Sequence, residues 1–240
     1  MLRQEDYKQH ISERFNTELE EVKNHLLEMG GKVEQQLSAA ISALVDGDAA
    51  EAESIISRDH EVNRMEMAID DECATILARR QPAASDLRLV VAVIKVNTDM
   101  ERIGDEAAKI ARQSVRLAED GMSPTNYVEI RHIGDLVGNM LRKALDAFAR
   151  LDVNMAVEVI KQDASVDKEY GSALRSLVTF MMEDPRDIGA ILNEMWALRS
   201  LERIGDHASN IAEHVVYLVR GLDVRHQSFE AVVDQVSESD

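Results

Sequence analysis

Cysteine occurs once in the 240 residues, at Cys73, which excludes an intrachain disulfide framework and a thiolate metal site. With 3 prolines and 11 glycines, long uninterrupted elements are permitted, and aromatics at 4% leave the core to aliphatic side chains and 11 methionines. Basic residues are outnumbered, 27 Lys and Arg against 45 Asp and Glu, for a formal charge of −18. That balance argues against nucleic acid or an anionic membrane as the main ligand and suits basic partners or divalent cations. No run approaches the ~18 apolar residues of a membrane span, and the opening MLRQEDYKQH is neither amphipathic nor secretory in character, so a soluble, cytoplasmic protein is expected. The patterns GxxxxGK[ST], GxSxG and HExxH are also missing.

What is present is helical periodicity. From about residue 11 to Leu44, the residues Phe15, Leu19, Val22, Leu26, Met29, Val33, Leu37, Ala40, Ile41 and Leu44 share one side. Asp46-Gly47-Asp48 breaks this helix, and Asp48 is placed to cap a second one running to about Arg79. After the turn at Gln81-Pro82, Ser85 is the expected cap of a third helix that fades near Ala118. Glu119 to Pro124 is the strongest boundary, with Ser123 and Pro124 reading as N-cap and first helical residue. A fourth helix to about Leu151 follows, then a fifth to about Met182. Asp184-Pro185 repeats the cap-and-proline device before a sixth that ends near Gly221. The tail, closing on Ser237-Glu238-Ser239-Asp240, is expected to be loose.

The six helices form two sets of three. Val33, Leu37, Ala40, Ile41 and Leu44 match Val137, Leu141, Ala144, Leu145 and Phe148 at an offset of 104 residues. Glu101-Arg102-Ile103-Gly104-Asp105 returns unchanged as Glu202-Arg203-Ile204-Gly205-Asp206, 101 residues later. The expected fold is all-α: two tandem, internally duplicated three-helix bundles built from six long helices, divided at residues 1–121 and 122–240.

In each copy of ERIGD an acid is followed four positions later by another, which on a helix sets the carboxylates on one side, Cβ atoms roughly 5–6 Å apart. Both pairs lie at the edge of an apolar stripe, where like charges need a cation, a basic partner or water. The plainer reading is boundary acids answered by arginines of a neighbouring helix; two copies in matching contexts strengthen the cation reading. Two carboxylates cannot fill a shell of six oxygens. The second helix offers Asp59, with Asn63, Glu66 and Asp70 within about 40° of it on the helical wheel. The fifth helix offers Asp163 and Asp167, but Tyr170 and Leu174 replace Glu66 and Asp70, so a second site is expected to have fewer protein oxygens. The candidate metal ligands are therefore Glu101, Asp105, Glu202 and Asp206, joined by Asp59, Asp163 and Asp167. Hard oxygens suit Mg²⁺, Ca²⁺, Mn²⁺ or iron better than a structural zinc site, and the ion's identity, Mg, Mn, Fe or Zn, stays open.

An enzyme or metal store using the same acids is the rival reading, and a scaffold without metal the third. Di-iron bundles need a Glu-x-x-His on each of two helices. Glu129 and His132 fit that spacing, but their counterpart, His25-Leu26-Leu27-Glu28, does not, and they read as surface residues. His207 and His214 read as solvated, and Cys73, on an apolar stripe, as packing. Gly30-Gly31 lacks phosphate-loop context, and the glycine inside each ERIGD suggests close approach of a neighbouring helix.

These stretches, with LEMGGKVEQQLSAAI at Leu27 to Ile41 and ARRQPAASDLRLV at Ala78 to Val90, resemble the PhoU family of phosphate-transport accessory regulators. The resemblance runs from about Phe15 to Arg225. It implies two symmetric three-helix bundles, a homodimer, and metal ions or clusters bound through the E(D)xxxD motifs, here Glu101 and Asp105, Glu202 and Asp206. It further implies a non-enzymatic negative regulator of the phosphate-starvation response. The partners it implies are the ATPase of the phosphate ABC transporter and the phosphate sensor histidine kinase, without nucleic acid or membrane insertion.

Overall fold

The computed structural model describes residues 4–121, 127–225, 227 and 229–238, with side chains from residue 13 to 236 within those ranges. It is all-α. The first three helices are α1 (Gln4–Asp46), α2 (Ala49–Arg80) and α3 (Ala84–Glu119). The second three are α4 (Tyr127–Arg150), α5 (Val153–Glu183) and α6 (Ile188–Arg220), with a 3₁₀ turn over Pro185–Asp187 before α6 and a short α7 (Phe229–Glu238) after it. Each set of three packs into its own bundle, and the bundles meet along two seams, α3 against α6 and α1 against α4. No helix among the described residues is long and apolar enough to cross a membrane.

The apolar spacing places the core. Val22, Leu26, Met29, Val33, Leu37, Ala40 and Leu44 of α1 are buried at three- and four-residue intervals, and their counterparts Val137, Leu141, Ala144 and Phe148 are buried in α4. The caps follow the short polar residues: Asp48 accepts from the Glu51 amide at 3.0 Å, and Asp152 from the Met155 amide at 3.0 Å. Asp184 accepts from Arg186 N at 3.0 Å with Pro185 as the first residue of the 3₁₀ turn. Gly221 closes α6 with φ +72°, a conformation that needs no Cβ.

Two local expectations are corrected. Ser85 does not cap α3: the cap position is Ala83, whose side chain has no acceptor, and Ser85 lies one residue into the helix. The loose tail is instead α7 as far as Glu238, because Val232 and Val236 bury their side chains against the bundle, and α7 packs on α5. Ser123 and Pro124 lie outside the described residues, as do Ser239 and Asp240.

The duplication is visible in the α1–α4 seam. A Cβ on Gly30 would lie 2.8 Å from Leu145 Cδ2, and a Cβ on Gly134 would lie 2.8 Å from Ile41 Cδ1. Gly134 stands 104 residues after Gly30 and Leu145 the same 104 after Ile41, so one contact is made twice across a pseudo-twofold axis. Gly30, without a phosphate to cradle, is thus the hole that admits a large side chain from the other bundle. Lys23 Nζ reaches the Ala149 carbonyl at 3.0 Å and Arg142 reaches Glu34 at 2.6 Å along the same seam.

Candidate functional site

Both ERIGD stretches lie on the third helix of their bundle, beside the second helix. The glycines explain the closeness: a Cβ on Gly104 would sit 3.2 Å from Val62 Cγ1, and one on Gly205 would sit 3.4 Å from Val166 Cγ1. Val62 and Val166 are themselves equivalent across the repeat, so the second helix is drawn in beside the acid pair in both halves.

In the second half, single oxygens of Asp167, Glu202 and Asp206 all lie within 4.8 Å of one another, the one group of three such ligands among the described residues. Asp163 completes the surroundings. Burial first, then Asp206, Asp167 and Glu202, push its carboxyl up to about 6. Burial followed by Asp206 raises Glu202, and burial followed by Asp167 raises Asp206. Arg199, one turn before Glu202, answers part of this charge, with Nη1 2.6 Å from Glu202 Oε1. The guanidinium is held above its usual range first by Glu202, with Tyr170 and Asp206 adding to the effect. The other oxygen, Glu202 Oε2, is buried without a partner.

The first half holds Asp59, Glu66, Asp70, Glu101 and Asp105 around the equivalent place, but more of its oxygens are engaged. Gln36 Nε2 donates to Asp59 Oδ1 at 3.1 Å and to the Gly104 carbonyl at 3.3 Å. The fully buried Asn97 donates to Asp70 Oδ1 at 3.0 Å and to the Glu66 carbonyl at 2.9 Å. Arg102 Nε stands 3.5 Å from Glu101 Oε2. Burial, then Asp105, raises Glu101, and burial, then Asp70, raises Glu66. The closer grouping of acids is thus in the half with fewer of them. Asp167 stands where the first half has Asn63, and Met140 stands where it has Gln36.

The donor set fits a hard cation. Opposite oxygens in a Mg²⁺ or Ca²⁺ shell are about 4–5 Å apart, the separation within which Asp167, Glu202 and Asp206 already lie. An added charge would also relieve the desolvated, mutually repelling carboxylates and give Glu202 Oε2 a partner.

Other expectations are settled by burial. Glu129 is half-buried and His132 exposed on α4. Cys73 is fully buried, and burial pushes its thiol up to about 12. His207 and His214 are not solvated. His207 Nδ1 is 2.8 Å from Asp99 Oδ1, and His214 Nε2 is 3.3 Å from Asp99 Oδ2, inside the α3–α6 seam. Asn210 Nδ2 adds a bond to Asp99 Oδ1 at 3.3 Å. Burial opposes the charge on Asp99, but His207 and His214 outweigh it and hold the carboxyl below its usual range. The signal in the sequence was Asp99 itself, an acid interrupting the stripe of Val96, Ile103 and Ile110 at helical spacing. Nearby, the buried Glu106 is held by Lys109 Nζ at 2.9 Å and by Arg203 Nη1 at 3.0 Å across the seam.

The PhoU domain pattern matches residues 26–114 and 130–215, one copy in each bundle. The chain is 56% identical over 236 residues to the phosphate-specific transport system accessory protein PhoU homolog of Pseudomonas putida, covering 98% of this chain and 92% of that protein. It is 46% identical over 217 residues to the phosphate-specific transport system accessory protein PhoU of Escherichia coli (strain K12), covering 90% of each. Among solved structures, PhoU from Pseudomonas aeruginosa superposes with TM-score 0.84 at 59% identity, over 87% of this chain and 100% of that one. The phosphate transport system regulatory protein PhoU from Streptococcus pneumoniae superposes with TM-score 0.80 at 32% identity, over 87% of this chain and 98% of that one.

Proposed function

The chain belongs to the PhoU family, accessory regulators rather than enzymes, and from that premise we propose that it is a cytoplasmic negative regulator of phosphate uptake and of the phosphate-starvation response. In this reading it works as a homodimeric adaptor between the ATPase of the phosphate ABC transporter and the phosphate sensor histidine kinase. The observation that carries the proposal is the likeness to phosphate-specific transport accessory proteins along 98% of the chain, at 56% identity. The fold suits the role: two packed bundles offer long helical faces, and a net charge of −18 favours basic docking surfaces.

The acid clusters enter this proposal as metal sites. Asp163, Asp167, Glu202 and Asp206 would hold a cation in the second half, and Asp59, Glu101 and Asp105 in the first. A bound metal would supply positive charge that neutralises the clustered carboxylates and, through its bonds to their oxygens, would fix the second and third helices of each bundle against one another, without catalysing a reaction. Deletion of the gene tests the regulatory role. Phosphate-response transcription should become constitutive at high phosphate, and affinity capture from cells grown at high phosphate should recover transporter ATPase and kinase. Normal repression in the deletion strain, with neither partner captured, would overturn the proposal.

A further inference from the structure

We propose that Arg199 is a resident cation of the second-half acid cluster, a built-in competitor that a metal ion must displace or tolerate, and that it sets the affinity of that half apart from the first. The inference rests on the metal reading above and adds to it a residue that tunes the site.

Arg199 is placed for this by the repeat. On α6 it precedes Glu202 by three positions, and its Nη1 lies 2.6 Å from Oε1 of Glu202, the acid that groups with Asp167 and Asp206. A charge-assisted bond of this length holds one oxygen of a carboxylate whose other oxygen, Oε2, is free for a metal, so the guanidinium opposes the ion by its charge and by fixing the carboxylate. Tyr170 of α5 stands close to the guanidinium. The side chain is nevertheless 49% exposed, so it can swing into solvent without unpacking the helix. The first half has neither residue at the equivalent positions. The position equivalent to Arg199 is Thr98, whose hydroxyl donates to its own helix at the Ile94 carbonyl, 3.1 Å away, and the position equivalent to Tyr170 is Glu66. Its own guanidinium, Arg102, stands off Glu101 at 3.5 Å, against 2.6 Å for Arg199 on Glu202, so the second half holds the closer positive charge and the first an additional acid. Two sites descended from one sequence are set to fill at different metal concentrations.

Mn²⁺ titration of the full-length, chelator-treated protein by isothermal calorimetry at pH 7.5 tests this. Asp167→Asn identifies the second-half class of sites by removing it. Arg199→Gln should strengthen that class by about tenfold, the Coulomb cost of one positive charge held roughly 6 Å from a divalent ion at the dielectric of water. Arg199→Lys, which keeps the charge, should stay close to wild type, and Thr98→Arg should weaken the remaining class. If Arg199→Gln does not fold, Arg199→Met, which keeps the aliphatic stem and removes the charge, should strengthen the second-half class by the same amount. Unchanged or weaker binding in the neutral variant, in a protein whose wild type shows the Asp167-dependent class, overturns the role of Arg199 and leaves the metal reading standing. No Mn²⁺ uptake by wild type or by Arg199→Gln overturns both.

Discussion

Asp163 makes the acid cluster measurable without any metal. Folding takes its carboxyl from water to a half-buried place beside Asp206, Asp167 and Glu202, and lifts it from 3.8 to about 6. A carboxyl that titrates higher in the native state holds protons there that the unfolded chain has released. Between about pH 4 and pH 6 stability therefore falls as pH rises, and above about pH 6 the penalty is complete. A lift of that size corresponds to about 3 kcal/mol, which partial contact with solvent reduces to about 1–2 kcal/mol. Asparagine has nearly the same shape and no charge to desolvate. Asp163→Asn is expected to be more stable than wild type by that amount at pH 7.5, with the midpoint of thermal unfolding higher by about 2–8 °C. The advantage should shrink towards pH 4 and vanish below about pH 3, where the wild-type carboxyl is protonated in both states.

Urea unfolding followed by circular dichroism, in chelator and at half-unit steps from pH 4 to 8, gives both numbers. Glu101, Glu66, Glu202 and Asp206 are raised in the same direction, so wild type should lose stability over this range more steeply than Asp163 alone requires. A variant no more stable than wild type at pH 7.5, or a difference that does not change with pH, would refute the reasoning that these acids repel one another in the native fold.

Three further outcomes follow from particular contacts. Asp99→Ala removes the acceptor shared by His207 and His214 in the α3–α6 seam and should cost about 2 kcal/mol, as leaving buried donors without their ionised acceptor does; a loss under about 1 kcal/mol in urea unfolding would place the seam's stability in its apolar contacts instead. Gly30→Ala gains helix propensity but brings a Cβ to 2.8 Å from Leu145 Cδ2, and is expected to lose about 1 kcal/mol net. Gly30→Ala made on a Leu145→Ala background should be neutral or stabilising, and a penalty that persists there would show that Leu145 is not what the glycine accommodates. Cys73, buried with its thiol pushed up to about 12, should react with Ellman's reagent at neutral pH only as fast as the protein opens, and a fast native-state reaction would contradict that burial.

The helices and their grouping were legible because their causes are local. Apolar residues at three- and four-residue spacing, Asp48, Asp184 with Pro185, and Gly221 each fix an element or its end without reference to the rest of the chain. The duplication was legible for the same reason, since its matches are read one residue at a time. The wheel also placed Asp163, Asp167, Glu202 and Asp206 on facing sides of neighbouring helices. What it could not give was which polar side chains from a third element reach the cluster. Gln36 comes to Asp59 from α1, and nothing in the period of α1 distinguishes it from its solvated neighbours. His207 and His214 were misread because a wheel assigns faces within one bundle, whereas their partner, Asp99, belongs to the other.

The two halves diverge in a particular way. Contacts that fix the backbones relative to one another are kept in both: Gly30 with Leu145 is repeated by Gly134 with Ile41, and Gly104 beside Val62 by Gly205 beside Val166. A change at any of these would move a helix and disturb every residue packed behind it. The polar groups around the acids obey no such restraint, because they end in partly solvated space. There Asn63 corresponds to Asp167, Glu66 to Tyr170 and Thr98 to Arg199, whereas the equivalent of Gln36 is Met140, buried in the core. Across the seam, the equivalents of Asp99 and His207 are Ser200 and Glu106, and Glu106 takes its partners from Lys109 and Arg203 instead. A symmetric frame thus carries two chemically different acid clusters. Exchanging these three pairs between halves should therefore exchange the pH dependence of the clusters while leaving the helix content unchanged; a swap that unfolds either bundle would mean that frame and clusters are not separable.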